Sequence, residues 1–357
     1  MSIVKLLYCG ELWEGSTALQ RAQAFARQSG VQVSVLDVVS GERDREPTWY
    51  ERARWKIGWP VDAVNCNARL LKMVEKTRPD VVFVDNVKVI SQSTVRQLKS
   101  LGAMPVYFSP DDIIAPHNMK RTLRQTISDW AIMFTTKRVN VDELRDLGAS
   151  RTVLVGNAYD AQIHKPLQFI EHDCYFEAFD AVFIGAFEQE RCRQINLLAK
   201  AGVRVAVYGA YSGIIATAWR RSLHHSVVLR SAAFGKDYQM CLHHGKVALG
   251  FLRKINRDVI TTRSIEIPAM ARPMVAEKTV AHDEHFVDGL EYAGFSTDKG
   301  LVSSVCELLE DDSRRLEIGQ AGRRRCLMSG YSSDHRAQEM LTAMCEGLFH
   351  HSSATAE

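Results

Sequence analysis

Short apolar runs rich in Val and Ile recur along the chain at residues 3–8, 31–36, 81–84, 106–108, 131–134 and 152–155, with helix-period segments between them. Runs of this length suit strands buried on both faces, and parallel strands need crossovers that only intervening helices supply. Residues 17–28 and 139–147 carry apolar positions at three- and four-residue spacing, and Gly30 and Gly148 follow them as C-terminal stops. The pattern predicts one doubly wound α/β half. A polar, irregular stretch over 157–180 breaks the rhythm, which restarts at 181–184, 203–207, 227–229, 247–249 and 273–275. A second sheet of the same style is therefore expected.

With 357 residues, 46% of them apolar, the chain exceeds the size at which a single core stops growing. The expected architecture is two Rossmann-like domains, 1–165 and 166–357, facing a central cleft at the C-terminal ends of their strands. An amphipathic helix over 332–348 is expected to pack across the joint, and the tail after it to fray.

A formal charge of +3 with scattered basic residues argues against nucleic acid as a partner. The eight cysteines form no C-x-x-C pair and sit mostly in apolar stretches, as reduced thiols do in a cytoplasmic protein. No run of eighteen apolar residues occurs, and the opening segment is too short for a signal peptide. The expectation is a soluble cytoplasmic protein without a transmembrane segment, peripheral membrane contact being left open.

The segment DVITTRSIEIPAMARPMV, residues 258–275, places two acids eight residues apart around a helix start and then enters a strand. Thr261 or Thr262 can act as N-cap, leaving free N–H groups and the positive helix end to face a phosphate. Arg263 in the first turn opposes the helix dipole, so its charge makes better sense with an anion bound. Glu266, one turn in, suits vicinal hydroxyls such as those of a ribose. A well-capped helix with a surface Arg and Glu is the plainer alternative.

Several linked segments now carry a resemblance: FIGAFEQER from Phe183, YGAY from Tyr208, FLRKINRD from Phe251, TTRSIEIPAMARPMVAE from Thr261 and IGQAGRRRCLMSGYSSDHR from Ile318. Together with VGNAYDAQIHKPL, residues 155–167, they resemble the CgeB-type glycosyltransferase family within the GT-B fold. The resemblance implies transfer of a sugar from a nucleoside-diphosphate sugar to an acceptor hydroxyl, with no cofactor or metal required and with retention of configuration. The acceptor, whether a glycan, a lipid-linked species or a small molecule, is not specified. Many retaining GT-B transferases carry a Glu-x7-Glu motif. Asp258 takes its first place, toward the donor sugar, with a reach one methylene shorter; Thr261 and Thr262 take the middle, at the pyrophosphate; Glu266 takes the last, at the ribose. The small-residue turn after the helix reads Ala271-Arg272-Pro273, with Arg in place of the usual Gly.

Breaking a glycosidic bond to a diphosphate builds negative charge on the leaving group, so a metal-free site needs fixed cations and helix N–H groups. Arg253, Lys254 and Arg263 are the candidates, supported by the Gly185 turn and Arg191. In the first half, SPDDIIAPHN follows a strand, and Asp112, narrowly preferred over Asp111, and His117 are candidates for orienting the acceptor hydroxyl or taking its proton. An Asx turn capping the next helix is the structural alternative. Residues 10–17 read G-x-x-x-x-G-S-T, with Ser16 where a phosphate-binding loop has Lys, so the segment is better read as an approach loop with Gly15 and Ser16 on the acceptor side.

The Trp-rich segment 48–60 can stack a sugar or simply pack on its own domain. The pairs His224-His225 and His243-His244 lack companion ligands, and AHDEH from Ala281 reads as a loop with a weak claim to metal or donor contact. A non-catalytic nucleotide-sugar-binding protein and a nucleotide-sugar epimerase of the same fold are the alternative functions.

Overall fold

A computed structural model describes residues 3–39, 45–167, 179–210 and 214–354. Residues 168–178 of the expected polar linker (with Cys174), Tyr211 of the YGAY segment and the final residues 355–357 lie outside the described residues. The chain divides into two compact units, residues 1–156 with 333–357 and residues 157–332.

The first unit runs β1 (Val4–Gly10), α1 (Thr17–Ala26), β2 (Val31–Asp37), α2 (Trp49–Lys56), α3 (Cys66–Thr77), β3 (Val81–Asp85), α4 (Gln92–Ser100), β4 (Met104–Ser109), α5 (Arg121–Thr126), β5 (Ile132–Thr135), α6 (Arg138–Asp146) and β6 (Thr152–Leu154). Its six strands pair in parallel in the order β2-β1-β3-β4-β5-β6, which reverses between β1 and β3. Gly148 follows the C-cap of α6 with φ of +93°, the left-handed geometry expected of a helix stop, whereas α1 already ends at its Arg27 cap and Gly30, at φ +78°, serves the turn into β2.

The second unit continues with β7 (Phe179–Ile184), α7 (Gln189–Lys200), β8 (Val205–Ala210), α8 (Ile214–Ser222), β9 (Val228–Ser231), α9 (Gly235–His243), β10 (Gly245–Gly250), α10 (Thr262–Ala269), β11 (Met274–Glu277), α11 (Val280–His285), β12 (Ala293–Phe295), α12 (Asp298–Glu310) and α13 (Asp312–Met328). Its parallel order is β12-β11-β10-β7-β8-β9, with the reversal between β7 and β10. In each sheet that reversal leaves a crevice at the strands' C-terminal ends, where open α/β sheets take ligands. The sequence pattern did not anticipate β12, because three residues flanked by polar ones carry no periodic signal.

The last helix, α14 (Ser333–Ala354), corrects the expected domain boundaries. Ala337, Met340, Leu341, Ala343 and Met344 pack into one core with Leu6, Tyr8, Phe25, Phe83, Phe108 and Phe134. The chain returns to the first unit because α14 completes, beside α1, the apolar cover of that face of the sheet, and the helix extends beyond the point where fraying was expected. On the opposite face α3, α4 and the Trp130 region supply the second layer.

Candidate functional site

In the second unit, three loops meet at the C-terminal ends of β7, β10 and β11. Gly185 ends β7 and donates its N–H to the Tyr208 carbonyl at 3.1 Å. A Cβ on Gly209 would stand 2.1 Å from the Gly185 carbonyl oxygen, so this close strand-to-loop approach requires glycine. After β10 the chain makes a single 3-10 turn over Lys254–Asn256 and exits through Arg257 at φ 46°. The Glu188 carboxylate accepts from the backbone N–H groups of Lys254 and Ile255, at 3.0 and 2.9 Å, and fixes the turn.

Arg191 does the same work from α7. It donates through Nε to Leu252 O (3.1 Å), through Nη2 to Phe251 O (3.0 Å) and through Nη1 to Ala186 O (3.1 Å). These three bonds use three of the five guanidinium N–H groups to shape the loop. Burial pushes its pKa down to about 10, and the nearby positive charge of Arg263 pushes the same way.

Thr261, rather than Thr262, is the N-cap of α10, with extended backbone at φ −127°, ψ 169°. Its N–H donates to Ser264 Oγ at 3.2 Å, and Ser264 Oγ meets His282 Nε2 at 2.8 Å. His282 Nδ1 lies 2.7 Å from the Glu277 carbonyl, which can only accept, so the imidazole proton sits on Nδ1 and Ser264 donates to Nε2. This buried relay ties the start of α10 to the end of β11. The AHDEH segment thus serves structure: His282 is enclosed, and Asp283 accepts from Tyr292 Oη at 2.9 Å. Thr262 Oγ1 donates to Asn157 Oδ1 at 3.3 Å.

Glu266 projects from the second turn of α10 and is 6% exposed. Tyr238 Oη donates to its Oε2 at 2.8 Å, and His164 Nε2 lies 3.6 Å from its Oε1. Asp258 is also buried, its Oδ1 accepting from Asn256 Nδ2 at 2.8 Å. The plainer reading of a surface Glu is thereby set aside. Around these acids stand Arg253 and Arg263, whose Nε atoms are closed to solvent and have no hydrogen-bond partner among the described residues. A buried guanidinium N–H without a partner costs free energy, so these two point to a missing acceptor. Lys254 is more exposed and pairs with Glu277, which also accepts from the Leu252 N–H at 3.3 Å. The turn after α10 adopts left-handed geometry at Ala271 (φ 56°), and Gly319 of α13 makes room for its carbonyl.

The first unit treats its candidates differently. Asp112 is fully buried; its Oδ1 accepts from Asn140 Nδ2 at 2.8 Å and from the Ile114 N–H at 3.2 Å. That is an Asx turn, though not one that caps the next helix, which starts after Lys120 without a side-chain cap; it corrects the preference for Asp112 as an acceptor-side group. Asp111 is half-buried and faces Asn86 Nδ2 at 3.5 Å, and His117 is half-buried in the same loop. Ser16 is the N-cap of α1, accepting from the Leu19 N–H at 3.1 Å and donating to Glu11 O at 2.8 Å, next to Gly15 at φ 90°. Both groups of its hydroxyl are used locally. Sequence reasoning missed a buried triad at the sheet reversal, in which Tyr8 Oη and Arg21 Nη1 both donate to Asp85 Oδ2.

Among the described residues no group of three or more His, Cys, Asp or Glu side chains is placed to hold a metal ion, and no helix is long and apolar enough to cross a membrane.

Two parallel six-stranded sheets with alternating helices define the GT-B fold of glycosyltransferases. Residues 191–342, which contain the 251–266 site and α10, match the family model described as glycosyl transferase-like. No curated protein matches the chain in sequence. Among solved structures the chain is similar to sucrose-phosphate synthase from Thermosynechococcus elongatus, at 11% identity over 96% of this chain and 98% of that one, with a TM-score of 0.67. It is similar to Anabaena Alr3699/HepE in complex with UDP-glucose, at 12% identity over 96% and 99% of the two chains and a TM-score of 0.64. It is also similar to UDP-GlcNAc 2-epimerase from Neisseria meningitidis bound to UDP-GlcNAc, at 11% identity over 96% and 100%, with a TM-score of 0.56.

Proposed function

We propose that this chain is a glycosyltransferase that moves a sugar, of hexose type, from a nucleoside-diphosphate sugar to an acceptor hydroxyl in glycan biosynthesis. The finer assignment is to the CgeB-type group, acting in the cytoplasm without metal and with retention of configuration. The second unit takes the donor. Glu266 receives the ribose hydroxyls, the N–H groups opening α10 and the cations Arg253, Arg263 and Lys254 receive the diphosphate, and Asp258 faces the donor sugar. The first unit takes the acceptor, with Asp111 and His117 on that side.

The observation that carries this reading is the pair of partnerless Nε atoms on Arg253 and Arg263 beside a buried, oriented Glu266. In the reaction the acceptor oxygen bonds to the anomeric carbon while the bond to the β-phosphate oxygen breaks. The acceptor proton passes to the departing phosphate, and the added charge there falls on the two guanidinium groups. No protein base is required in that route.

A thermal-shift panel of nucleoside diphosphates and their sugars tests the assignment, with Glu266→Ala as control. Stabilisation by one nucleotide that disappears in the variant supports it; an equal response in the variant removes the ribose role. The likeness to an epimerase keeps one second reading in view. Conversion of the donor sugar with no acceptor present would favour epimerisation, whereas donor binding without turnover on any acceptor would favour a binding protein.

A further inference from the structure

At the C-terminal ends of β3 and β4 in the first unit, three polar atoms are closed to solvent and have no hydrogen-bond partner among the described residues: Asn86 Oδ1, Lys88 Nζ and Tyr107 Oη. They share one neighbourhood, since Lys88 and Tyr107 both feel the charges of Asp85 and Asp111. The backbone there is built for the purpose. Asn86 holds left-handed geometry at φ 57°, its N–H donates to Phe108 O at 2.8 Å, and Thr122 Oγ1 donates to Lys88 O at 2.7 Å. Beside them Lys120 Nζ lies 4.4 Å from the centre of the Trp55 ring and donates to Trp55 O at 3.2 Å, and Arg121 lies 6.0 Å from the Trp59 ring.

The charges do not balance. Arg21, Lys88, Lys120 and the exposed Arg121 supply four positive charges against the two negative ones of Asp85 and Asp111, leaving the cluster positive. Asp85 is already taken by Tyr8 and Arg21, and Asp111 faces Asn86. A bridging water would satisfy hydrogen bonds at Lys88 but would leave its charge uncompensated.

We propose that this end of the first sheet is an oxyanion subsite, in which Lys88 Nζ receives a phosphate or carboxylate group carried by the first unit's substrate. Calling that substrate the acceptor rests on the transferase reading; the subsite itself does not. Burial pushes the Lys88 ammonium down to about 8, with Lys120 adding to the effect and Asp111 and Asp85 opposing it. A bound anion restores the proton.

The test is calorimetric titration of the full chain with sodium sulfate and, separately, sodium acetate at pH 8, in two buffers of different ionisation enthalpy. Neither anion titrates at that pH. Saturable binding with uptake of a fraction of a proton per anion is expected, since burial leaves part of the Lys88 population neutral at that pH. Preference for sulfate assigns a phosphate group and preference for acetate a carboxylate. Lys88→Met should abolish the proton-linked binding of both anions while leaving nucleoside diphosphate binding, and any sulfate held without proton uptake at the Arg253–Arg263 site, unchanged; the wild-type proton uptake stands as a readout should that variant not fold. Absence of saturable binding, binding only without proton uptake, or proton-linked binding unchanged in Lys88→Met overturns the subsite. Sulfate binding in a chain that binds no nucleotide would retain the subsite and remove the transferase reading.

Discussion

His164 directs its Nε2 toward Glu266 Oε1 at 3.6 Å while its Nδ1 accepts the backbone N–H of Asp160 at 2.9 Å. Because Nδ1 is an acceptor, the proton of the neutral ring sits on Nε2 and faces the carboxylate. Tyr238 holds the other oxygen from α9. Glu266 is thus oriented from two sides before any ligand arrives.

Replacement of His164 by Phe is expected to weaken binding of the nucleoside diphosphate selected by the thermal-shift panel about tenfold, or about 1.4 kcal/mol, and to leave its 2′,3′-dideoxy analogue unaffected. Titration of both ligands against both proteins checks it. Equal losses for the two nucleotides would mean that His164 only supports the fold.

Arg263→Ala should lower turnover by 10²–10³-fold, the loss of about 2.7–4 kcal/mol typical of one preorganised donor at a developing negative charge. Nucleoside binding should survive while diphosphate affinity falls. Steady-state rates alongside titrations with nucleoside and nucleoside diphosphate separate these effects, and a variant with wild-type turnover would remove Arg263 from the site.

The relay through His282 gives a pH dependence with a definite sign. Burial holds this imidazole below its usual range. The unfolded chain therefore binds the proton more readily than the folded one, and stability is full above the unfolded value of about 6.5. It declines as pH falls from there toward the lower folded value. Urea midpoints at pH 7.5 and 5.5 should show this decline, and His282→Gln should flatten that part of it.

Met344→Ala should destabilise the first unit by about 2–5 kcal/mol, since Met344 is fully enclosed with Phe83 and Phe134 although almost two hundred residues separate it from that sheet. Hydrogen exchange resolved along the chain is the measurement. Loss of protection in β1, β3 and β4 is expected, and loss confined to 157–332 would contradict the assignment of α14.

The clustering of Asp258, Thr261, Arg263 and Glu266 was legible because they lie within nine residues, close enough for local helix geometry to bring them into one region. His164, Tyr238, Glu188 and Glu277 were not, since each reaches the site from another element and carries no local pattern. His164 lay within the recognised 155–167 segment, yet nothing in that segment says which way its ring turns. Asp112 shows the opposite failure: an acid in a loop after a strand looks available in sequence, and only Asn140, twenty-eight residues on, reveals that it is taken.

The amino-acid sequence alone determined the alternation of buried strands and amphipathic helices, hence two doubly wound sheets, because burial periodicity is written in neighbouring residues. Tertiary structure decided the strand order, the return of α14 to the first unit, the commitment of Arg191 to backbone carbonyls and the isolation of Lys88. Each of these depends on which distant surfaces exclude water from one another, and nearest-neighbour pattern does not encode that.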